Sequence, residues 1–329
     1  MTFPPRMAAA LGAYLTRNWV SGRNRFPMVL MLEPTERCNL NCIGCGRVRE
    51  YSGQLQSLTV DECLQAVDDA NAPVVSVSGG EPLLHPDIEE IVDGIIQRGA
   101  FVHFCTNGLL LESSLPKFKP GSHMSFVLHL DGLAPTHDRN VNLPGVFDKA
   151  IEGLKAAKAE GFRVYTNTTI FKHTDMDEID RLFDLLTGLG VDGLMMSPAF
   201  HFENVDSDVF MSRDEVIEKL QPLREMRTHY DFYNTSAYLD FLLGEKDAPC
   251  MPWSTPTRTP KGWRRPCYLI ADEHCDSFAE LMDHTDWSKY GVGNDPRCAS
   301  CMMHSGFEAS LIDRARHSLP ELFSLARGR

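Results

Sequence analysis

The chain has 329 residues, 43% of them hydrophobic and 23% charged, a globular composition that excludes a disordered polymer. Its 45 acidic against 32 basic residues give a net charge of −13, which disfavours nucleic acid as a partner. No apolar run reaches the roughly 18 residues of a membrane-crossing helix, and ten cysteines are too sparse for a disulfide-stapled scaffold, so the expected compartment is cytoplasmic.

The chain opens with four arginines (Arg6, Arg17, Arg23, Arg25) before its first acid, Glu33. Between them, Leu11, Tyr14, Leu15 and Trp19 recur at helical spacing, which predicts a basic amphipathic helix within residues 1–27. A signal peptide fits poorly, because the apolar stretch is short and arginines follow it. The helix either packs on the body of the protein or lies peripherally on the inner face of an anionic membrane.

Residues 28–230 alternate β-type and helix-type runs, as an α/β fold with a parallel sheet does. Strands are expected at 28–33, 74–78, 101–105, 125–130, 163–170 and 193–197. Helices are expected at 57–71, 87–98, 146–160, 176–189 and 213–228. Six βα units are too few for a closed eight-stranded barrel, so a partial (β/α)6 barrel is predicted. Chemistry in such folds sits in the loops where strands end. From about residue 231 to 329 the rhythm changes to a small C-terminal cysteine-rich module.

Directly after the first strand comes Cys38-Asn-Leu-Asn-Cys42-Ile-Gly-Cys45. Three thiolates at this spacing can hold three corners of a cubane iron–sulfur cluster. A structural zinc site wants four ligands, and no fourth Cys or His lies within a few residues. One iron is thereby left open for another ligand. The second strand ends in Gly79-Gly80-Glu81-Pro82, where glycines let a backbone approach a ligand closely.

These two motifs together resemble the radical S-adenosylmethionine superfamily, over about residues 28–199. The resemblance implies a [4Fe–4S] cluster on Cys38, Cys42 and Cys45, with the amino and carboxylate groups of S-adenosylmethionine on the open iron. Reductive cleavage would then release methionine and a 5′-deoxyadenosyl radical. Gly79, Gly80 and Glu81 would face the methionine amino group. Asn107, His129, Asp131, Asn167 and Ser197, at later strand ends, suit ribose, adenine or substrate; each is also an ordinary loop or turn residue type. A reduced flavodoxin or ferredoxin would supply the electron.

A second set, Cys250-x11-Gly262-x4-Cys267 and then Cys298-Ala-Ser-Cys301, looks like the twitch type of auxiliary-cluster domain. Four thiolates could close around a second [4Fe–4S] cluster or around zinc. His304 is an alternative ligand, and Cys63 and Cys275 read as incidental.

Longer strings narrow the resemblance to the adenosylhopane synthases of hopanoid biosynthesis: residues 31–34, 79–86, 104–111, 129–132 and 262–269, with Asp286-Trp and Gly306-Phe-Glu308. That family adds the 5′-deoxyadenosyl radical to the alkene of diploptene, an apolar triterpene. Cys105, at the end of the third strand, would then donate a hydrogen atom; the plain alternative is a buried strand cysteine. Phe126, Met195, Met196, Phe200 and Phe202 could line an apolar cavity. The sequence departs from the family at Gly108, at Ser305 and over residues 201–213. Hydrogen abstraction from another lipid, a sugar or a peptide is the alternative enzymatic reading, and a non-catalytic zinc or iron–sulfur protein the other.

Overall fold

The six expected strands form: β1 (Val29–Leu32), β2 (Val74–Val77), β3 (Phe101–Thr106), β4 (Met124–His129), β5 (Arg163–Ile170) and β6 (Gly193–Pro198). The computed structural model that shows them describes residues 4–51, 53–205 and 207–314. All six are parallel, in the order β6-β5-β4-β3-β2-β1, and the sheet does not close. The fold is a partial α/β barrel.

Two buried clusters divide the strand residues by parity, as the period of two requires. Leu30, Leu32, Val75, Val77, Val102, Phe104, Phe126, Leu128, Val164, Leu194 and Met196 belong to the main core under the helices. Val29, Val74, Phe101, Cys105, Val127, Tyr165 and Met195 belong to a second cluster on the opposite side, the barrel lumen. Phe126 and Met196, expected near a substrate cavity, therefore face the helices, and only Met195 of that pair of methionines faces the lumen.

The helices behave as their sequences direct. Val60–Ala70 starts on a capping box in which the Thr59 hydroxyl accepts from Glu62 N–H (3.2 Å) and Glu62 Oε2 accepts from Thr59 N–H (2.7 Å). The expected helix at 213–228 is instead two, Arg213–Lys219 and Leu223–His229. Pro222 lies between them, and a proline cannot donate the hydrogen bond a helix interior needs.

Past residue 231 the chain rejoins the sheet. Phe232 bridges Leu194 beside β6. Strand β7 (Thr257–Thr259) pairs in parallel with β1, and β8 (Gly262–Pro266) and β9 (Ala271–Cys275) follow antiparallel, extending the sheet to nine strands. Cys275 is thus a buried strand residue. The helix His304–Arg314 follows the last cysteine pair.

The N-terminal helix Pro5–Val20 packs on the body. Met7, Ala10 and Leu11 close the lumen floor with Val74, Phe101 and Tyr165, while Leu15 and Trp19 meet Phe26, Ala309 and Ile312. Its apolar side is turned inward, and Arg6, Arg17, Arg23 and Arg25 remain exposed. No helix among the described residues is long and apolar enough to cross a membrane.

Candidate functional site

Cys38, Cys42 and Cys45 sit in the loop leaving β1, all half-buried free thiols. Their loop is held from several sides. Ile43 N–H donates to Asn140 O at 2.8 Å, and Arg49 Nη1 donates to Cys42 O (3.0 Å) and Cys45 O (2.7 Å). Glycines make the close approach possible: a Cβ at Gly44 would lie 2.4 Å from the Phe171 ring, and one at Gly46 would lie 2.2 Å from the Phe202 ring. Burial pushes the Cys38 thiol up to about 11 and the Cys42 thiol higher still, with neighbouring cysteines adding to both.

The Gly79-Gly80 turn after β2 grips this same segment. Gly80 N–H donates to Thr35 O at 3.0 Å and Glu81 N–H to Arg37 O at 2.7 Å. A Cβ on Gly80 would stand 2.0 Å from Arg37 O, and Gly79 holds φ +106 with a would-be Cβ 2.9 Å from Thr35 O. The glycines are thus required by a backbone–backbone approach one residue before Cys38, a tighter need than the ligand approach expected of them. Glu81 is buried, and both its oxygens are engaged: Oε1 accepts from Leu83 N–H and the Thr106 hydroxyl, Oε2 from Asn107 N–H at 2.9 Å. It ties the end of β2 to the end of β3. Burial nonetheless pushes its carboxyl up to about 7. Asn107 reaches the cysteine loop itself, its Nδ2 donating to Asn39 Oδ1 at 2.7 Å.

At the next strand ends, His129 Nε2 lies 2.8 Å from Asp131 Oδ1, which also accepts from Thr169 N–H at 2.8 Å. Burial works against charge on both groups, yet their mutual attraction outweighs it: His129 is raised and Asp131 lowered. Asn167 pairs in register with His129, and its Oδ1 is buried without a hydrogen-bond partner. Ser197 is buried opposite Thr169 in the β5–β6 pair.

Cys105 faces the lumen, half-buried beside Met195 and Val127. Ser76 Oγ is 3.4 Å from its Sγ. Burial pushes the thiol up to about 11, so the S–H bond is intact at neutral pH.

The second cysteine set comes together. Cys250, Cys267, Cys298 and Cys301 line one cavity, with Phe200 and Tyr268. Gly306 lets Cys250 in: a Cβ there would meet its Sγ at 2.5 Å. Burial pushes Cys298 up to about 11 and Cys301 to about 12. His304 is not among the lining residues. Among the described residues no three His, Cys, Asp or Glu side chains converge as one metal ion requires.

A buried ionic network joins the two cysteine sets, and nothing in the sequence pattern announced it. Glu33, at the end of β1, pairs with Arg47, whose Nη1 is 3.1 Å from Glu50 Oε2. Arg264 of β8 closes on Glu50 with both terminal nitrogens, at 2.8 and 2.9 Å. The Arg47 guanidinium also lies over the ring of Tyr268, next to Cys267, at 5.6 Å.

Residues 32–186 match the family model of the radical SAM superfamily. Over these residues the chain is similar to that superfamily. Residues 194–325 match a domain of unknown function, DUF3463. The AdoMet-dependent heme synthase of Methanosarcina barkeri is 32% identical over 169 residues, 50% of this chain and 48% of that one. The GTP 3′,8-cyclase of Aquifex aeolicus is 32% identical over 176 residues, 50% and 54% of the two chains. The chain thus spans about half the length of these curated relatives. Among solved structures, Streptococcus suis SuiB bound to S-adenosylmethionine has a TM-score of 0.61 at 16% identity, covering 75% of this chain and 61% of that one. The structure of anSMEcpe with bound AdoMet has a TM-score of 0.60 at 16% identity, covering 92% of this chain and 96% of that one. Both likenesses are of fold. The match to the radical SAM superfamily implies a [4Fe–4S] cluster and S-adenosylmethionine.

Proposed function

We propose that this radical SAM enzyme joins the 5′-deoxyadenosyl group of S-adenosylmethionine to the terminal alkene of a diploptene-like triterpene, giving an adenosylhopane-type product. The residues at the first cysteine loop fit the cluster: three half-buried free thiols on one loop, the soft donor set that iron–sulfur clusters take. Cys38, Cys42 and Cys45 would hold it, and the backbone of Gly79 and Gly80 with Asn107, His129, Asp131, Asn167 and Ser197 would surround S-adenosylmethionine. Bound together, these groups supply the 5′-deoxyadenosyl radical.

The observation that carries the reading is the protonated Cys105 thiol facing the lumen. Addition to an alkene leaves a carbon radical that must be reduced. Cys105 gives it a hydrogen atom: the S–H bond breaks, a C–H bond forms, and the sulfur radical left behind takes one electron from the reducing partner and one proton. Hydrogen abstraction as the main reaction would need no such donor.

The cavity lined by Cys250, Cys267, Cys298 and Cys301 offers four thiol donors to a second [4Fe–4S] cluster, with zinc as the alternative. The exposed arginines beside the N-terminal helix would favour an anionic lipid surface, from which a triterpene could be drawn.

The deciding experiment is anaerobic incubation of the reconstituted chain with S-adenosylmethionine, dithionite and diploptene, followed by mass spectrometry of the lipid fraction. An adduct carrying the adenosyl group is expected. Free 5′-deoxyadenosine with unaltered lipid would sink the reading.

A further inference from the structure

The helix Gly46–Glu50, which follows the third cysteine, has five residues, too few to hold its shape in water unaided. Cys45 is its N-cap, in extended backbone, and its side chain makes no capping bond. Where that thiol points is therefore decided by whatever holds the helix. Arg49 Nη1 bonds Cys42 O and Cys45 O, but its side chain is exposed and exchanges such bonds with water at little cost. Asn204 Nδ2 adds one neutral bond, to Gly46 O at 3.0 Å.

The buried hold is ionic, and it has two ends. Arg47, at the start of the helix, pairs with Glu33 at the end of β1. Glu50, at the close of the helix, is gripped by both terminal nitrogens of Arg264, at 2.8 and 2.9 Å. Arg47 is 4% exposed and Arg264 2%, so each charge depends on its carboxylate. Arg47 Nε, Arg264 Nε and Glu33 Oε1 are buried without a hydrogen-bond partner, so no spare bond takes over if the Arg264–Glu50 pair is cut.

This grip does not depend on the second cysteine set. Arg264 stands within β8 opposite Thr257 of β7 and His274 of β9, so paired strands on both sides fix it. It comes from the stretch that matches DUF3463, outside the residues 32–186 that match the radical SAM model. The other end of the cysteine loop is held within the barrel, by the bonds that Gly80 and Glu81 donate to Thr35 O and Arg37 O.

We propose that Arg264, acting through Glu50, is a positioning residue for Cys45, so that the C-terminal module completes the first cysteine site by fixing its third thiol. Without the pair the short helix frays and Cys45 turns outward, while Cys38, held from the barrel side, stays in place. The service of this anchor to a cluster rests on the ligand reading above; the placing of the thiol does not.

Alkylation of the anaerobic full-length apoprotein with iodoacetamide, followed by peptide mass spectrometry, reads each thiol separately. In Arg264→Gln and in Glu50→Gln, Cys45 should react about tenfold faster, the low end of the worth of a hydrogen bond to a charged group. Cys38 should keep its rate, which a general loosening of the fold would not allow. The double variant should add little to either single one. Arg264→Lys should restore part of the protection, since it keeps the charge without the fork. Should Arg264→Gln fail to fold, Glu50→Gln and Arg264→Lys carry the same comparison. Arg265→Gln is the control, because Arg265 pairs with Glu273 and not with Glu50. A Cys45 rate that does not change, or that rises together with the Cys38 rate, overturns the proposal. Iron release to a chelator from reconstituted Cys298→Ala protein isolates the first set, and adding Arg264→Gln should speed it about tenfold; an unchanged release overturns the proposal as well. Cys45 freed selectively in a chain whose first set takes up no iron would end the cluster reading and leave the anchor standing.

Discussion

The Ser76 hydroxyl lies 3.4 Å from the Cys105 thiol across the β2–β3 pair, a closer contact than the 4.0 Å from that thiol to His103 O. Both side chains come from inward positions, so the hydroxyl fixes where the S–H bond points. Cys105→Ala should leave cleavage of S-adenosylmethionine intact while the reduced adduct fails to accumulate. Ser76→Ala keeps the thiol and loses only its orientation, at about 1 kcal/mol, or a roughly fivefold fall in adduct per cofactor cleaved. In deuterium oxide the exchangeable thiol should deliver one deuterium to the product. A product without deuterium removes Cys105 from the reaction.

The two cysteine sets predict separable iron contents. Wild-type protein reconstituted anaerobically should hold about eight irons, the sum of two cubane clusters. Cys38→Ala should lose about four of them and all cofactor cleavage; Cys298→Ala should lose a different four and keep cleavage. Elemental analysis and electron paramagnetic resonance separate the outcomes. Stoichiometric zinc retained by Cys38→Ala and lost from Cys298→Ala would replace the second cluster with a structural ion.

His129 and Asp131 make a pH-dependent pair. The carboxylate raises His129 above its ordinary value in spite of burial. The pair's contribution to stability is therefore fully present between the unfolded carboxylate value of about 3.9 and the unfolded histidine value of about 6.5; it is lost as pH rises through the higher folded value of His129 or falls through the lowered value of Asp131. In Asp131→Asn burial acts alone, and the titration midpoint of His129 should drop below that of an exposed histidine. Ring-proton NMR of histidine-labelled protein reads it directly; an unmoved midpoint would mean that the 2.8 Å contact is not an ion pair in solution.

Much of this architecture was legible in the sequence because the barrel strands obey local rules. Runs such as Phe101–Thr106 and Arg163–Ile170 are rich in β-branched and aromatic residues, and Phe101–Thr106 leads straight into the polar Asn107 that marks a βα loop. The parity of those strands also carried more than was drawn from it: Ser76 and His103 sit on the same face as Cys105, whereas Phe126 and Met196 fall on the other. What stayed hidden depends on contacts between distant segments. Nothing local links Glu50 to Arg264, 214 residues away, or brings Glu308 to Thr235. The purpose of Gly80 was hidden for the same reason, since the carbonyl that forbids a side chain belongs to Arg37.

Gly80 gives the strongest prediction for stability. A Cβ there would stand 2.0 Å from Arg37 O and 2.5 Å from the Arg37 carbonyl carbon, backbone atoms that cannot rotate away. The backbone must shift, and the two hydrogen bonds that hold residues 35–37 against the turn would stretch with it. Gly80→Ala should cost about 2–3 kcal/mol, within the range for overpacked sites, and should displace the loop carrying Cys38. Gly188, at the end of the helix Met176–Gly188, is the control: a Cβ there meets nothing within 4 Å. Gly188→Ala should therefore be neutral or stabilise by about 0.5 kcal/mol through the unfolded chain. Urea melts of the two apoproteins test the difference, and iron loading tests the loop. Equal midpoints for both variants, with full iron in Gly80→Ala, would show that the turn does not position the cysteines.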